Sequence, residues 1–347
     1  MTRSVARVHL WSAAFVVIAG CMIGAGCSDL PSGPADTSEM LVRGVTLADW
    51  STTGYDSPSS VASIQRFAGM GVNLVTILVT VYQTDVNASE IRIDPRRTPS
   101  DISVANAALR VKAQNPPMRV GLKFHIDVDD GSWRGNIAPS DPAQWFDQYE
   151  EYIVGWARQA EGLGVEHFVV ATELAGTLEH ESRWRDVIQE VRKVYSGAVI
   201  YAASWDEAPK VPFWDALDFV GVNFYAPVSN RTQTNRIDIL AAWQPWLSRL
   251  RLLHKQAGRK ILLTEVGYRS IDGAGMHPYD FDRDAAVDYE EQADLYWGAL
   301  EAVGKSIWVE GVYLWNWLAD SEGFDASKDY TPEGKLAEAE LVGSWGG

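Results

Sequence analysis

Short runs of apolar residues alternate with longer segments of mixed polarity from residue 42 onward. Each run is nearly continuous in Val, Ile, Leu and aromatic residues and is bounded by turn-forming residues, which is typical of a parallel strand buried on both faces. The runs are residues 42–48, 73–80, 118–125, 166–173, 198–205, 217–225, 259–266 and 310–317. We therefore predict eight parallel strands.

The segments between these runs carry apolar residues at three- and four-residue spacing, the period of a helix with one buried face. The clearest helix begins at Asp141-Pro142, a cap followed by a first-turn proline, and should stop by Gly164. The other helical patterns start at residues 58 and 101 and cover residues 184–197, 237–257 and 286–303. The short connection between the fifth and sixth strands leaves room for only a short helix.

Eight strands that alternate with helices predict an α/β fold, a single (β/α)8 TIM barrel. No linker-like stretch divides residues 42–345, so we expect one domain there. A doubly wound open sheet is the alternative, but such sheets place a Gly-rich phosphate turn after the first strand. Residues 48–52 read Ala-Asp-Trp-Ser-Thr and lack that signature.

Residues 1–27 have the features of a bacterial lipoprotein signal peptide. Arg3 and Arg7 precede a mainly apolar run at residues 8–20, and the only two cysteines follow it. Cys21 fits the cleavage pattern better, but Cys27 leads directly into a polar stretch and is our preferred lipid-attachment site. Residues 28–41 then form a flexible tether. We expect an exported protein anchored by lipid to a bacterial membrane, periplasmic or on the cell surface; ordinary signal-peptidase cleavage would instead discard both cysteines.

The amino-acid composition limits the classes of molecule that this protein is expected to bind. The net charge is −16, with 46 acidic against 30 basic residues, so the surface repels phosphate backbones and we expect no nucleic-acid partner. A neutral polymer meets no such repulsion, and 15 Trp with 13 Tyr suit a cleft that stacks uncharged rings. After the signal segment no apolar stretch is long enough to span a bilayer. We expect a monomer whose only membrane contact is the lipid anchor.

Several chemistries have no support in the motifs. A Gly-x-Ser-x-Gly turn is absent, which argues against a serine hydrolase. The six histidines are scattered and have no cysteine partners, so we expect neither a metal site nor a cofactor. Residues 127–131 are only superficially similar to a calcium loop, because the spacing and the distal Glu are missing. Gly131 should instead turn the loop that carries Trp133 and Arg134.

Two acidic residues end otherwise apolar strands. Glu173 closes the fourth predicted run, and Glu265 lies near the end of the seventh. Reacting groups of TIM barrels lie at the carboxyl ends of the strands, and a buried carboxylate is costly unless it is paired, hydrogen-bonded or functional. A structural salt bridge explains either acid alone equally well. Two such acids, at strands 4 and 7, form a much more specific pattern.

The segments around these positions resemble a known family. They are residues 122–127 (LKFHID), 130–135 (DGSWRG), 171–174 (ATEL), 220–225 (VGVNFY), 263–270 (LTEVGYRS) and 311–317 (GVYLWNW). Strand-4 and strand-7 glutamates define glycoside hydrolase clan A, and within it the chain resembles glycoside hydrolase family 113, which contains endo-β-1,4-mannanases. The resemblance extends over residues 42–320 and is most specific at residues 263–270.

The resemblance implies a retaining hydrolase in which Glu173 is the acid/base and Glu265 the nucleophile. A strand-6 aromatic residue commonly orients the nucleophile in this clan, which indicates Tyr225. Retention implies carboxyl groups about 5–5.5 Å apart, whereas inversion needs roughly 6.5–9.5 Å. The clan usually places Asn before the acid/base to bind the sugar 2-hydroxyl, but this chain has Thr172. That departure leaves the 2-hydroxyl contact and the exact sugar open.

Residue parity adds candidates for substrate binding, because alternate residues of a barrel strand face inward. Lys123 and His125 share parity with Asp127 on strand 3, which favours substrate binding over a solvated loop that begins at Asp127. Asn223 shares parity with Tyr225 at the end of strand 6.

Tryptophans at the strand ends supply the other candidates. Trp315 and Trp317 share parity on strand 8; we expect one of them to form a platform under the sugar, with the other available for the core. Trp50, Trp133 and Trp205 lie at strand ends or in the loops beyond them.

The sequence thus predicts a retaining hydrolase of β-1,4-linked mannan-type polysaccharide or oligosaccharide. One alternative is a clan relative that acts on another β-glycan, as a β-glucanase or an exo-β-mannosidase. An aromatic strip past both glutamates would favour internal cleavage, and a pocket closed by residues 269–283 would favour exo action. The other alternative is a non-catalytic glycan-binding lipoprotein: the presence of both carboxylates argues against it, and a basic residue held against Glu265 would argue for it.

Overall fold

The computed structural model describes residues 41–232 and 234–346. The predicted signal peptide, both candidate lipid-attachment cysteines and the tether through residue 40 lie outside the described residues. Within the described residues, no helix has the length and apolar character needed to cross a bilayer.

Eight parallel strands close into one barrel in chain order, and β1 pairs with β8 to complete it. The strands are β1 (Val42–Ala48), β2 (Leu74–Gln83), β3 (Arg119–Val128), β4 (His167–Thr172), β5 (Ala198–Ser204), β6 (Phe219–Phe224), β7 (Ile261–Val266) and β8 (Val309–Leu318). Each of these strands overlaps a predicted run. The predicted TIM barrel is confirmed, and the open sheet is excluded because the barrel is closed.

The described residues form seven α-helices. They are α1 (Pro58–Gly69), α2 (Asp101–Lys112), α3 (Pro142–Leu163), α4 (Glu181–Arg192), α5 (Arg236–Ala257), α6 (Tyr289–Gly304) and α7 (Leu336–Trp345). The Asp141 side chain accepts from the Gln144 backbone N–H at 3.1 Å and starts α3 as predicted. Gly164, with φ 59°, ends the same helix in a left-handed turn.

The link between β5 and β6 holds two short 3-10 helices, Ala208–Lys210 and Trp214–Ala216, and no α-helix among its described residues, which agrees with the prediction of a short helix there. Two predicted helix boundaries need correction. Helix α4 ends at Arg192, five residues before the predicted end, because the chain already turns toward β5. Helix α6 starts at Tyr289 and not at residue 286, because Asp288 caps it by accepting from the Glu291 N–H at 2.8 Å.

The interior of the barrel is packed near the amino-terminal ends of the strands. A cluster of fully buried side chains fills it: Val42, Leu74, Val169, Ile200, Ala202, Leu262 and Tyr313. Tyr313 also shares a hydrogen bond with His167 at the start of β4. Functional groups are therefore expected at the opposite end, where the strands finish.

Candidate active site

Glu173 directly follows β4 and adopts an unusual backbone conformation. Its φ of 56° lies in the left-handed region, which non-glycine residues rarely occupy. The Glu173 N–H donates to the Ala202 carbonyl of β5 at 2.7 Å, so the strained backbone is held in place by the neighbouring strand. Such conformations cost of order 1–3 kcal/mol and cluster at functional sites.

Three groups surround the Glu173 carboxyl, which is only 9% exposed. The Trp133 indole N–H donates to Oε2 at 3.2 Å, and the Asn223 amide donates to Oε1 at 3.0 Å. Arg134 Nη1 lies 3.6 Å from Oε2. The Trp133 ring lies against Gly135, where a Cβ would come within 2.3 Å of it, so this glycine lets the indole reach Glu173.

Glu265 lies within β7, is 4% exposed and has a donor at each oxygen. The Tyr225 hydroxyl donates to Oε2 at 2.6 Å, the contact expected for this residue. Burial, reinforced by the charge of Glu265, raises the pKa of Tyr225 well above its usual value, so the phenol stays a donor. The Lys123 ammonium donates to Oε1, and His125 Nε2 lies 3.6 Å from the same oxygen.

Lys123 and Asn223 connect the two glutamates. Lys123 Nζ donates to Asn223 Oδ1 at 3.2 Å and to the Thr264 carbonyl at 3.0 Å. The Thr264 hydroxyl also donates to Asn223 Oδ1, at 2.9 Å. Because Oδ1 receives two donors, the amide nitrogen of Asn223 must face Glu173. A continuous chain of hydrogen bonds therefore runs from Glu265 through Lys123 and Asn223 to Glu173.

Burial corrects part of the substrate-binding prediction. Lys123 and Asn223 have no exposed surface. They contact the glutamates, as the inward parity required, but they hold these acids in place and do not line an open cleft. Thr172 is also buried, and its hydroxyl has no hydrogen-bond partner within the described structure. Thr172 stays a predicted substrate-binding residue, and the partner of the sugar 2-hydroxyl stays open.

His125 is a buried, neutral ring. Burial, together with the charges of Arg134 and Lys123, holds its pKa well below the usual value. The imidazole stacks on Trp315 with ring centres 5.6 Å apart and planes inclined by 17°. His125 therefore supports the face of Trp315, and its role in binding sugar stays a prediction.

Asp127 and Arg134 belong to the site although neither was predicted as a functional residue. Arg134 donates to Asp127 Oδ1, and the Trp50 indole donates to Oδ2 at 3.0 Å. Sequence signals for both existed, since Asp127 shares the inward parity of strand 3 and Arg134 follows Trp133. Gly131, with φ 81°, turns the intervening loop as predicted.

The five candidate tryptophans separate into two environments. Trp50 and Trp133 are 37% and 43% exposed, and each donates to an acid of the site. Trp315 is partly exposed and contacts Trp50 edge-on at 6.4 Å. Trp317 is fully buried and packs edge-on against Phe67 of α1 at 5.3 Å, so it is a core residue and not a sugar platform.

The fifth candidate, Trp205, is half-buried. It packs edge-on against Trp246 of α5 with ring centres 5.1 Å apart. This contact ties the end of β5 to the helical layer, and a role for Trp205 in substrate binding stays a prediction.

A second acidic group lies beyond β7. Asp272, Asp288 and Glu291 bring carboxylate oxygens within 4.8 Å of one another. Both Glu291 oxygens already accept backbone N–H groups, Gly273 at 2.6 Å and Gly275 at 3.1 Å. The geometry is therefore that of a carboxylate fastening a loop.

Comparisons with known proteins agree with this geometry. The sequence pattern of Glycoside Hydrolase Family 113 matches residues 45–335. No curated protein matches the chain significantly in sequence. A solved GH113 β-1,4-mannanase superposes with a TM-score of 0.78 at 25% identity, covering 88% of this chain and 98% of that one.

Two further structures place the similarity in context. The GH113 β-mannanase AaManA from Alicyclobacillus acidocaldarius, in complex with ManMIm, is 26% identical with a TM-score of 0.78, covering 89% of this chain and 98% of that one. Fungal β-1,4-galactanase, at 14% identity and a TM-score of 0.53, covering 86% and 98%, shares the fold alone. Glu173 and Glu265 both fall within the matched residues, and the chain therefore belongs to Glycoside Hydrolase Family 113.

Proposed function

We propose that this protein is a retaining endo-β-1,4-mannanase in which Glu173 and Glu265 are the catalytic pair. The observation that carries the proposal is the placement of these two buried carboxyls at the ends of β4 and β7, each with its own donors, in a member of Glycoside Hydrolase Family 113. The choice of mannan rests on the similarity to the two β-mannanase structures.

The two carboxyls have different partners, which suits different chemical roles. Glu265 receives Lys123 at one oxygen and Tyr225 at the other, so its orientation is fixed while each oxygen keeps a lone pair. In the proposed first step, a Glu265 oxygen attacks the anomeric carbon while the glycosidic oxygen leaves with a proton from Glu173. In the second step, Glu173 takes a proton from water, which displaces Glu265 with net retention.

The aromatic residues favour binding of a long neutral chain. Trp50 and Trp133 are exposed and hydrogen-bonded to acids of the site, and Trp315 lies between Trp50 and the buried His125. Indole faces stack well on uncharged sugar rings. This grouping supports internal cleavage of a polymer more than trimming of its ends.

Product analysis tests the substrate assignment. The protein that begins at residue 28 is incubated with mannan, glucomannan, cellulose and xylan, and the products are sized. We expect short oligosaccharides of mixed length from mannan and glucomannan and none from cellulose or xylan. Mannose as the sole early product would indicate exo action and not internal cleavage. Rapid cleavage of cellulose would indicate a β-glucanase.

The anomeric form of the first products tests the mechanism. Proton NMR of early hydrolysis should show the β-anomer first, because two displacements restore the original configuration. With an activated aryl glycoside, Glu173→Ala should still form the glycosyl-enzyme, and azide should speed its breakdown to a β-azide. Glu265→Ala should be almost inert and yield at most the α-azide. An α-anomer as the first product, or near-normal activity of both variants, would contradict the assignment.

A non-catalytic glycan-binding protein is the second candidate, and one contact favours it. Lys123 is the basic residue against Glu265 that such a protein was expected to have. A buried carboxylate also needs a partner to remain charged, so the contact suits an ionised nucleophile equally well. Affinity electrophoresis and product analysis distinguish the two proposals. Mannan in the gel would slow a binding protein and would still slow its Glu265→Ala variant. Prolonged incubation of a binding protein with mannan would give no products.

A further inference from the structure

Arg134 lies between two carboxyls of different function. It donates through Nη2 to Asp127 Oδ1, and its Nη1 lies 3.6 Å from Glu173 Oε2. Its Nε donates to the Ile126 carbonyl at 3.1 Å, which fixes the plane of the guanidinium. Because the side chain is mostly buried, its charge acts on both carboxyls with little screening by solvent.

Asp127 is itself held in a charged state. The Trp50 indole donates to its second oxygen at 3.0 Å. Burial is the largest single effect and would raise the pKa of Asp127, but the lowering effects together, led by the charge of Arg134, leave the pKa below its usual value. Burial likewise opposes the charge on Arg134, yet Asp127 and Glu173 together raise its pKa. The pair therefore remains ionic while Glu173 changes its protonation state.

We propose that Arg134 is a positioning residue that divides its charge between Asp127 and Glu173 and so sets how readily Glu173 releases and recovers its proton. This inference rests on the proposed role of Glu173 as the acid/base. When Glu173 gives its proton to the leaving oxygen, Arg134 stabilises the carboxylate that forms. When Glu173 must take a proton from water, Asp127 limits that stabilisation by holding part of the same charge.

Other ionisable groups around Glu173 have different partners. Lys123 donates to Glu265, and burial with the neighbouring charges keeps His125 neutral. The remaining ionisable neighbours are Glu265, Tyr225 and Tyr201. Among the described residues, Arg134 is thus the cation within ion-pair distance of Glu173.

The proton affinity of Glu173 can be measured without any substrate. In protein labelled with carboxyl-¹³C glutamate, the Glu173 signal is the one missing from Glu173→Gln, and its shift is followed against pH. We expect Arg134→Met to raise the titration midpoint by about one pH unit or more, because an opposite charge within a few ångströms is lost. Arg134→Gln replaces Arg134→Met if the latter does not fold.

Asp127→Asn should move the midpoint the opposite way, since Arg134 then acts on Glu173 alone. Asp127 also acts directly on Glu173. The double variant Asp127→Asn/Arg134→Met therefore completes a double-mutant cycle, which separates this direct effect from the effect through Arg134. The fall caused by Asp127→Asn should be larger when Arg134 is present. Arg183→Met, which removes an arginine paired with Asp147 on the surface, is the matched control and should leave the midpoint unchanged.

Activity gives a second readout. In Arg134→Met the alkaline limb of the kcat/KM profile should move to higher pH, and poor leaving groups should lose more rate than activated ones, because a weaker acid assists them less. Equal midpoints in wild type and both single variants would overturn the inference even if mannan is hydrolysed. Shifted midpoints in a protein that cleaves no glycan would instead overturn the proposed function alone.

Discussion

Trp315 and Trp317 lie two residues apart on β8, yet one is partly exposed beside His125 and the other is fully buried against Phe67. Strict alternation would give both side chains the same direction. The register between β1 and β8 shifts at this point, with Val45 opposite Leu314 but Leu47 opposite Trp317. Sequence parity identified the pair but not which of the two side chains is buried, because no residue pattern revealed the irregularity.

This difference predicts opposite effects of two similar substitutions. Trp315→Ala should lower kcat/KM strongly while thermal stability changes little, since we propose that the ring contacts substrate and it supports little of the core. Trp317→Ala should cost about 3–5 kcal/mol of unfolding free energy, because it empties a buried site. Urea unfolding and kinetics on mannan measure both quantities. A destabilised Trp315→Ala protein with normal activity per folded molecule would reverse the assignment.

The sequence also did not reveal how deeply individual side chains of the site are buried. Lys123 and Asn223 were found by parity, and both do point at the glutamates. Their complete burial depends on residues far away in the chain, such as Thr264, which donates to Asn223. Contacts of this kind arise only when distant strands meet, so the sequence could indicate the direction of a side chain but not what covers it.

At the scale of elements, the loop after β7 is fastened to the first turn of α6. Glu291 accepts the Gly273 and Gly275 N–H groups, and Tyr330 donates to the Pro278 carbonyl at 2.8 Å. Tyr330 in turn contacts the ring of Tyr225. The loop after β7 therefore reaches Glu265 through the Tyr330 and Tyr225 side chains, and the buried Glu291 carboxyl is one of the groups that fasten it.

The ionisation of Glu291 should make stability depend on pH. Burial, with a smaller effect of Asp288 and Asp272, raises its pKa from 4.5 to about 7. Between these values the folded protein holds a proton that the unfolded chain has lost, so unfolding free energy should fall as pH rises from 4.5 to 7, by about 2–3 kcal/mol. Thermal unfolding from pH 5 to 8 measures this slope.

Two variants isolate the contribution of Glu291. Glu291→Gln should flatten the dependence of unfolding free energy on pH between 4.5 and 7. Glu290→Gln changes the neighbouring, exposed glutamate and should keep the wild-type slope. An equal slope in wild type and Glu291→Gln would show that the ionisation of Glu291 is not the source of this pH dependence.

Strands and helices could be predicted from the sequence where a single physical cause determines the pattern of apolar and polar residues. Buried parallel strands produce continuous apolar runs, so all eight were predicted, and the cap at Asp141 located the start of α3. Helix α7 was missed because its apolar residues are not confined to one face. Leu341 is buried, whereas Leu336 and Val342 are exposed, so the period of 3.6 is weak.

At the scale of the whole molecule, the barrel begins almost immediately after the predicted tether. β1 starts at Val42, is paired on both sides, and Leu41 before it is largely exposed. The barrel closes within residues 42–318, and we propose that residues 1–27 are a signal peptide. The chain that begins at residue 28 should fold with the melting temperature of the full-length form.

Membrane association should depend on the cysteines alone. The full-length protein, expressed in a bacterium that processes lipoproteins, should sediment with membranes, and changing both Cys21 and Cys27 to Ser should release it. The single variants identify the attachment site, with loss expected for Cys27→Ser. Retention of the double variant in membranes would eliminate the lipid anchor.

The left-handed backbone of Glu173 has a consequence for how this position can drift. Glycine occupies φ near 56° without steric penalty, so selection for stability alone would favour it there over any side chain with a Cβ. A protein that no longer turned over substrate would gain stability from Glu173→Gly. Most other substitutions would keep a Cβ at this position and would not relieve the strain. The presence of a glutamate at this glycine-favouring position therefore agrees with the proposed use of its carboxyl.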